Sequence, residues 1–175
     1  ETNLEQTTKI FYTDENGKTA ELVDQRLHGD ENRSWVSVTK MPTNLKNAFV
    51  AIEDERFYEH NGMDFKRTGG AVLEFLKGNS SYGGSTITQQ LIKNFSGDNE
   101  ATIQRKITEI FRAISLTKKR SKDEVLEMYL NTINLSNGCY GVQAASNYLF
   151  GKDVSELTLV ECASLASIPK SPYKY

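Results

Sequence analysis

The segment Glu53–Gly62, EDERFYEHNG, sets four carboxylates and one histidine directly after an apolar helical stripe. Leu45, Ala48, Phe49 and Ile52 recur at the three- and four-residue spacing of one helix face, and Glu53 falls four residues after Phe49 on that face. Glu53 is therefore expected to point inward. A carboxylate at the mouth of an apolar pocket is poorly hydrated, which makes it a competent base near neutral pH. Asp54 projects about 100° away around the helix. The ordinary alternative is a helix end with solvated acids and one inward Glu paired with an arginine, and for a lone Glu that alternative is the stronger.

Two further segments shift the balance. In GGSTITQQLIKN, Gly83–Asn94, the first helical turn offers backbone N–H groups and the hydroxyls of Ser85 and Thr86, an arrangement that attracts anions. Its outer faces carry Gln89, Gln90, Lys93 and Asn94, and amide side chains that both donate and accept suit the hydroxyls and amides of a sugar. An ordinary polar helix face competes with that reading. In QRKITE, Gln104–Glu109, Arg105 and Glu109 form an i, i+4 pair, which as a surface pair would contribute well under ~1 kcal/mol. The competing reading is that Lys93, Arg105 and Lys106 converge on a phosphate, with Glu109 as a second functional carboxylate facing Glu53 across a cleft.

The elements that must position these residues are mostly helices. KIFYT and AELV flank the turn signal Asp14–Gly17 and read as a hairpin, with WVSV after Arg33 as further strand-like material. After Pro42 the chain reads as helix, beginning near Thr43 or Asn44 and breaking around Asn61 and Gly62. Asp64 caps a short helix ending near Gly78, whose interior Gly69 and Gly70 cost roughly 1 kcal/mol each against Ala and mark the segment as mobile. Ser85 is the expected N-cap of a helix through Phe95, closed by Gly97. From Thr102 to Lys119, Ile103, Ile107, Ile110 and Ile114 predict a buried stripe, with Arg105, Glu109 and Arg112 on another face. Ser121 with Glu124, and Thr158 with Glu161, make capping boxes; Gly138 and Gly141 bracket a turn before VQAASNYLF, which Gly151 stops, and Pro169 ends the last helix. About seven helices and a small β appendage make a mainly α domain.

Composition narrows the function. The 175 residues are 38% hydrophobic with a formal net charge of −2, enough for one core and without a basic field for nucleic acid. Any anion site must come from local clustering, and none is visible before residue 90. No apolar run approaches the ~20 residues that cross a bilayer, and a polar stretch stands where a signal peptide would be, so the chain as given is expected to be soluble. Cys139 and Cys162 are too few and too far apart for a disulfide scaffold or a zinc site, and are expected to be small buried hydrophobes.

In order, EDERFYEHNG, GGSTITQQLIKN, RKITE, KDEVLEMYLN and GCYGVQAASNYLFGK resemble the motifs of the peptidoglycan glycosyltransferase domain of class A penicillin-binding proteins and monofunctional transglycosylases. The resemblance covers Pro42 to Tyr175 as residues 42–175, with residues 1–41 similar to the lead-in that precedes the domain in bifunctional members. It implies a lysozyme-like helical head lobe with a smaller flexible jaw, about residues 63–82, that dips into the membrane surface. It implies Glu53 as general base and Glu109 as second catalytic carboxylate, acting on lipid II and a lipid-linked glycan chain. Asp54, His60, Ser85, Thr86, Gln89, Gln90, Lys93, Asn94, Arg105 and Lys106 are the implied substrate-binding set, Asp54 and His60 by holding the catalytic loop. Phe57 is expected in the core, and Glu127, Tyr129 and Asn131 read as structural. Glu109 would either orient the cations or stabilise a cationic sugar. No cofactor is required by the sequence, and although such proteins are often stimulated by Mg2+ or Mn2+, no ligand set with metal spacing is readable. The transmembrane helix and transpeptidase domain usual in the family are not in this chain, and the end of the domain beyond IPKSPYKY is expected to be truncated. The implied location is the extracytoplasmic face of a bacterial cell membrane.

Two other functions fit parts of the pattern. A lysozyme-like glycan hydrolase shares the helical fold and paired carboxylates but has little need of the cations Lys93 and Arg105, and a helical partner-binding module would not depend on Glu53 at all.

Overall fold

Pro42 starts the helical part of the chain: its carbonyl accepts from Leu45 and Lys46, closing the first turn. In this computed structural model, which describes residues 11–13, 18–21, 32–76, 83–96 and 102–170, seven α-helices follow. They are α1 (Thr43–Glu53), α2 (Phe65–Leu76), α3 (Ile87–Ser96), α4 (Ile103–Lys119), α5 (Lys122–Thr132), α6 (Val142–Phe150) and α7 (Leu159–Ser167). Two short strands, β1 (Phe11–Thr13) and β2 (Thr19–Glu21), pair antiparallel with Phe11 opposite Glu21. The expected turn at 14–17 lies outside the described residues. The fold is mainly α with a small hairpin, as the periodicity predicts.

The helix ends carry the expected signals. Ser121 with Glu124 and Thr158 with Glu161 form reciprocal capping boxes, Asp64 accepts from the Arg67 amide at 2.9 Å, and Gly151 closes α6 at φ +64°. At α3 the cap is Thr86, not Ser85: the Thr86 hydroxyl accepts from the Gln89 backbone amide while the Gln89 side-chain oxygen Oε1 accepts from the Thr86 backbone amide. Helix α2 ends, as described, at Leu76; Gly78, Gly97 and most of the loop NSSYGG lie outside the described residues.

The core lies between α1, α3, α5, α6 and α7, where Leu45, Phe49, Leu91, Leu126, Tyr129 and Leu165 are fully buried. Each such side chain contributes about 1.5–3 kcal/mol through removal from water. Helix α1 therefore sits on a fixed base, and its last residue, Glu53, inherits that position.

Beside the cap at Ser85, the helix break expected around Asn61 and Gly62 also fails, because α1 ends at Glu53 where Asp54 leaves helical geometry, and two further expectations fail with it. WVSV is not a strand; the strand is β3 (Asn32–Arg33), paired parallel with β4 (Cys139–Tyr140). Side chains of α5 replace a ladder, because Asn131 accepts from the Val36 amide and donates to its carbonyl, both at 2.8 Å, while Glu127 takes the Val38 amide at 2.8 Å. Val36 and Met41 thereby enter the same core as the helices. Nor do Ile103, Ile107, Ile110 and Ile114 form a buried stripe: Ile103 is 83% and Ile107 49% exposed, and Ile110 and Ile114 are half-buried. Glu109 and Ala113 are the buried positions of α4. Pairing of Glu109 with its own helix's cations makes that rotation affordable, since a paired carboxylate can be buried where a bare one cannot.

Asn131→Ala should cost about 2–4 kcal/mol in urea unfolding, since it leaves both backbone groups of Val36 unpaired in the interior. A loss below ~0.5 kcal/mol would contradict the clamp.

Candidate active site

Helix α1 stops at Glu53 because Asp54 leaves helical geometry at φ −159° and ψ 71°. The Asp54 side chain is fully buried, with both oxygens 3.0 Å from His60 Nε2 and Oδ2 also accepting from the Ile87 amide at 3.0 Å. It thus ties the end of α1 and the loop 54–62 to the first turn of α3. The loop's other end is equally constrained. Gly62 has φ +89°, a Cβ there would stand 2.5 Å from the Ala113 carbonyl oxygen, and its own carbonyl accepts from Thr86 Oγ1 at 2.8 Å. Between them, Phe57 is buried, and the Lys122 ammonium donates to the Phe57 carbonyl and lies 4.4 Å from the centre of its ring.

Glu53 is half-buried at the end of this frame. Its Oε2 accepts from Gln90 Nε2 at 2.7 Å, a charge-assisted bond, and no other protein hydrogen bond reaches it among the described residues. Gln90 Oε1 in turn accepts from the Tyr129 hydroxyl at 3.2 Å. Burial and the charges of Glu53 and Asp54 hold the Tyr129 phenol well above its usual value. Glu53 lines a cleft of about 650 Å³ together with Glu55, Arg56, Asp64, Lys66, Arg67 and Gly70. The arginine pairing of the ordinary alternative is absent among the described residues.

A second hollow, of about 300 Å³, lies on the other side of Gln90. It is lined by Ser85, Gln89, Gln90, Lys93, Asn94, Arg105, Lys106 and Glu109. Three cations against one carboxylate leave two formal positive charges there, in a chain whose net charge is −2. Glu109 is 5% exposed, accepts from Arg105 Nη1 at 2.9 Å and from the Lys106 ammonium, and Lys106 also donates to Ser85 Oγ at 2.9 Å. Lys93 is exposed and has no protein partner among the described residues, so it is available to a ligand. Such a hollow suits a diphosphate.

The structure therefore gathers Ser85, Gln89, Gln90, Lys93, Asn94, Arg105, Lys106 and Glu109 into one hollow and joins it to Glu53 through Gln90. Asp54, His60 and Thr86 stand behind the site as ties. Glu53 and Glu109 line different hollows. Sequence reading finds no anion site before residue 90, yet Arg56, Lys66 and Arg67 line the Glu53 cleft; the fold brings them there by turning the loop back onto α2, with Arg56 in a bidentate pair with Asp64 and Arg67 donating to the Gly83 carbonyl. It also misses the contacts of Lys122 and Tyr129, whose only sequence signal is their place in KDEVLEMYLN. Among the described residues no three His, Cys, Asp or Glu side chains are grouped to hold a metal ion.

The transglycosylase family model matches residues 19–175. Penicillin-binding protein 1F of Bacillus subtilis is 48% identical over 164 residues, covering 89% of this chain and 23% of that protein. Penicillin-binding protein 1A of Clostridium perfringens (strain 13 / Type A) is 51% identical over 150 residues, covering 83% of this chain and 22% of that protein. The chain thus spans under a quarter of the length of these curated relatives. A crystal structure of penicillin-binding protein 1A from Haemophilus influenzae matches with a TM-score of 0.44 at 24% identity, covering 97% of this chain and 15% of that one, a likeness too loose to bear on the site.

Burial alone would raise the Asp64 carboxyl, but the Arg67 amide and the Arg56 guanidinium outweigh it and hold the group below its usual 3.8. The unfolded chain takes up this proton more readily than the folded one, so the carboxylate stabilises the fold above pH 3.8 and the contribution is lost as pH falls below that value. The gap in urea midpoint between wild type and Asp64→Asn should be full near neutral pH and close progressively below pH 3.8. A gap of constant size through that window would contradict the assignment.

Proposed function

The chain belongs to the transglycosylase family, and from that premise we propose that it is a peptidoglycan glycosyltransferase that polymerises lipid II into β-1,4 glycan chains with release of undecaprenyl diphosphate. The observation that carries this reading is Glu53: one carboxylate oxygen is held by Gln90, the other has no protein donor among the described residues, and a hollow with Lys93, Arg105 and Lys106 adjoins it.

The acceptor's N-acetylglucosamine 4-hydroxyl must lose its proton as it attacks the anomeric carbon of the donor's N-acetylmuramic acid. Glu53 takes that proton. A sugar hydroxyl replaces the water of an inverting glycosidase, so the α-linked diphosphate donor gives a β linkage. The leaving diphosphate needs no acid catalyst when fixed cations meet its charge, and Lys93 with Arg105 supplies them. That Glu109 is buried between Arg105 and Lys106 supports its orienting those cations rather than facing the sugar. A hydrolase would have little need of the two excess positive charges.

A lipid-linked substrate puts the proposed reaction at a membrane surface, and the family resemblance implies its extracytoplasmic face. Ile103, Ile107 and Phe111, spaced by four along α4, are 83%, 49% and 69% exposed, and Phe65 at the start of α2 is 73% exposed; this apolar display supports contact with lipid. No helix among the described residues is long and apolar enough to cross a membrane. The greater length of the relatives supports a transpeptidase domain C-terminal to this one in the full-length protein.

With labelled lipid II, wild type should make polymer and Glu53→Gln should lose about 10²–10⁴-fold in rate. Polymer formation by that variant at wild-type rate would overturn the mechanism, and digestion of finished glycan without polymer from lipid II would favour the hydrolase. Ile107→Asp with Phe111→Asp should weaken binding to phosphatidylglycerol vesicles by about tenfold or more in flotation, and unchanged binding would remove α4 from the lipid contact.

A further inference from the structure

We propose that Tyr129 is a positioning residue for the base, acting on Glu53 through the side-chain amide of Gln90. The inference rests on the glycosyltransferase reading for its kinetic consequence, but the relay itself is a matter of geometry.

A primary amide offers a donor at one end and an acceptor at the other, and a half-turn about its last bond exchanges them. Two contacts choose the orientation here. A carboxylate only accepts, so the amide NH₂ faces Glu53 Oε2 at 2.7 Å, and the carbonyl at the opposite end takes the Tyr129 hydroxyl proton at 3.2 Å. Flipped, the amide would set its oxygen against the carboxylate. Tyr129 is fully buried and its phenol is held well above the usual value, so the proton that selects the orientation stays in place at working pH. The ring meets Phe49 edge-on at 6.3 Å between centres, and Phe49 lies one helical turn before Glu53 on α1. The phenol is therefore registered against the same helix that carries the base.

The consequence is a base with one oxygen engaged and the other, among the described residues, without a donor. Gln90 also lines the cationic hollow, so an amide released from Tyr129 can swing toward Lys93 and leave Glu53 unrestrained. The hydroxyl, and not the ring, is what the relay requires. If Tyr129 served only to fill the core, losing its hydroxyl would change stability without separating kcat from KM.

The test compares wild type, Tyr129→Phe, Gln90→Leu and the double variant with lipid II as substrate. Tyr129→Phe should lower kcat about fivefold with KM changed less than about twofold, and Gln90→Leu should lower kcat about thirtyfold, the scales of a neutral and a charge-assisted hydrogen bond. The double variant should be no slower than Gln90→Leu, because the phenol acts only through the amide. Wild-type kcat in Tyr129→Phe, or losses that multiply in the double variant, would overturn the proposal. A readout without turnover separates it from the reaction: in ¹H–¹⁵N spectra the Gln90 side-chain amide should shift in both Glu53→Gln and Tyr129→Phe. If it does so while wild type makes no polymer, the relay stands and the glycosyltransferase reading falls; if wild type polymerises and the amide ignores Tyr129→Phe, the relay falls alone.

Discussion

A carboxylate without solvent contact has to find its hydrogen-bond partners inside the protein, and Asp54 finds them on two different elements: His60 from its own loop and the Ile87 amide from the first turn of α3. Those contacts set more than the loop. Glu53 precedes Asp54 by one residue, and Gln90 follows Ile87 by three, which is nearly one helical turn. The tie between Asp54 and Ile87 therefore brings the two side chains within a hydrogen bond of each other, and Gly62 against α4 with Lys122 on the Phe57 carbonyl keeps the loop from relaxing the tie.

The electrostatics follow from the same frame. Helix α4 is rotated so that Glu109, rather than an isoleucine, faces inward, and this is tolerable only because Arg105 and Lys106 lie one turn before it. Burying the acid fixes the cations at the edge of the hollow, while the exposed Lys93 approaches from α3. The rotation has a second effect: it leaves Ile103, Ile107 and Phe111 outward, on a helix whose inner side carries the charge. One helix thus presents a polar site inward and an apolar strip outward, the division that the proposed lipid-linked anionic substrate would require.

Much of this was legible in the residues. The 3.6-residue stripe Leu45–Phe49–Ile52 located α1 but not its end, which falls at Glu53 and not near Asn61 and Gly62, and the capping boxes at Ser121 and Thr158 located α5 and α7, because those signals are local and their energetics do not depend on what packs nearby. Spacing offered the grouping of Lys93, Arg105, Lys106 and Glu109 only as a competitor to a surface ion pair, and the family resemblance tipped the balance. What was not legible depended on partners distant in sequence. Four isoleucines at helical spacing predict burial, but periodicity cannot tell which side a neighbouring helix will occupy. Val36 looks like strand because nothing near it announces that Asn131, 95 residues on, will take its backbone bonds. Tyr129 reads only as structural for the same reason, since the fold alone brings its hydroxyl to Gln90.

In the proposed reaction Glu53 is the base in a single inverting transfer, and Lys93 and Arg105 receive the departing diphosphate. The measurement that tests it most directly is product analysis by NMR and mass spectrometry after limited turnover of lipid II. It predicts one undecaprenyl diphosphate released for each new bond, every new bond β-1,4, and no sugar attached to Glu53. An α linkage, or a glycosyl adduct trapped on Glu53, would contradict it.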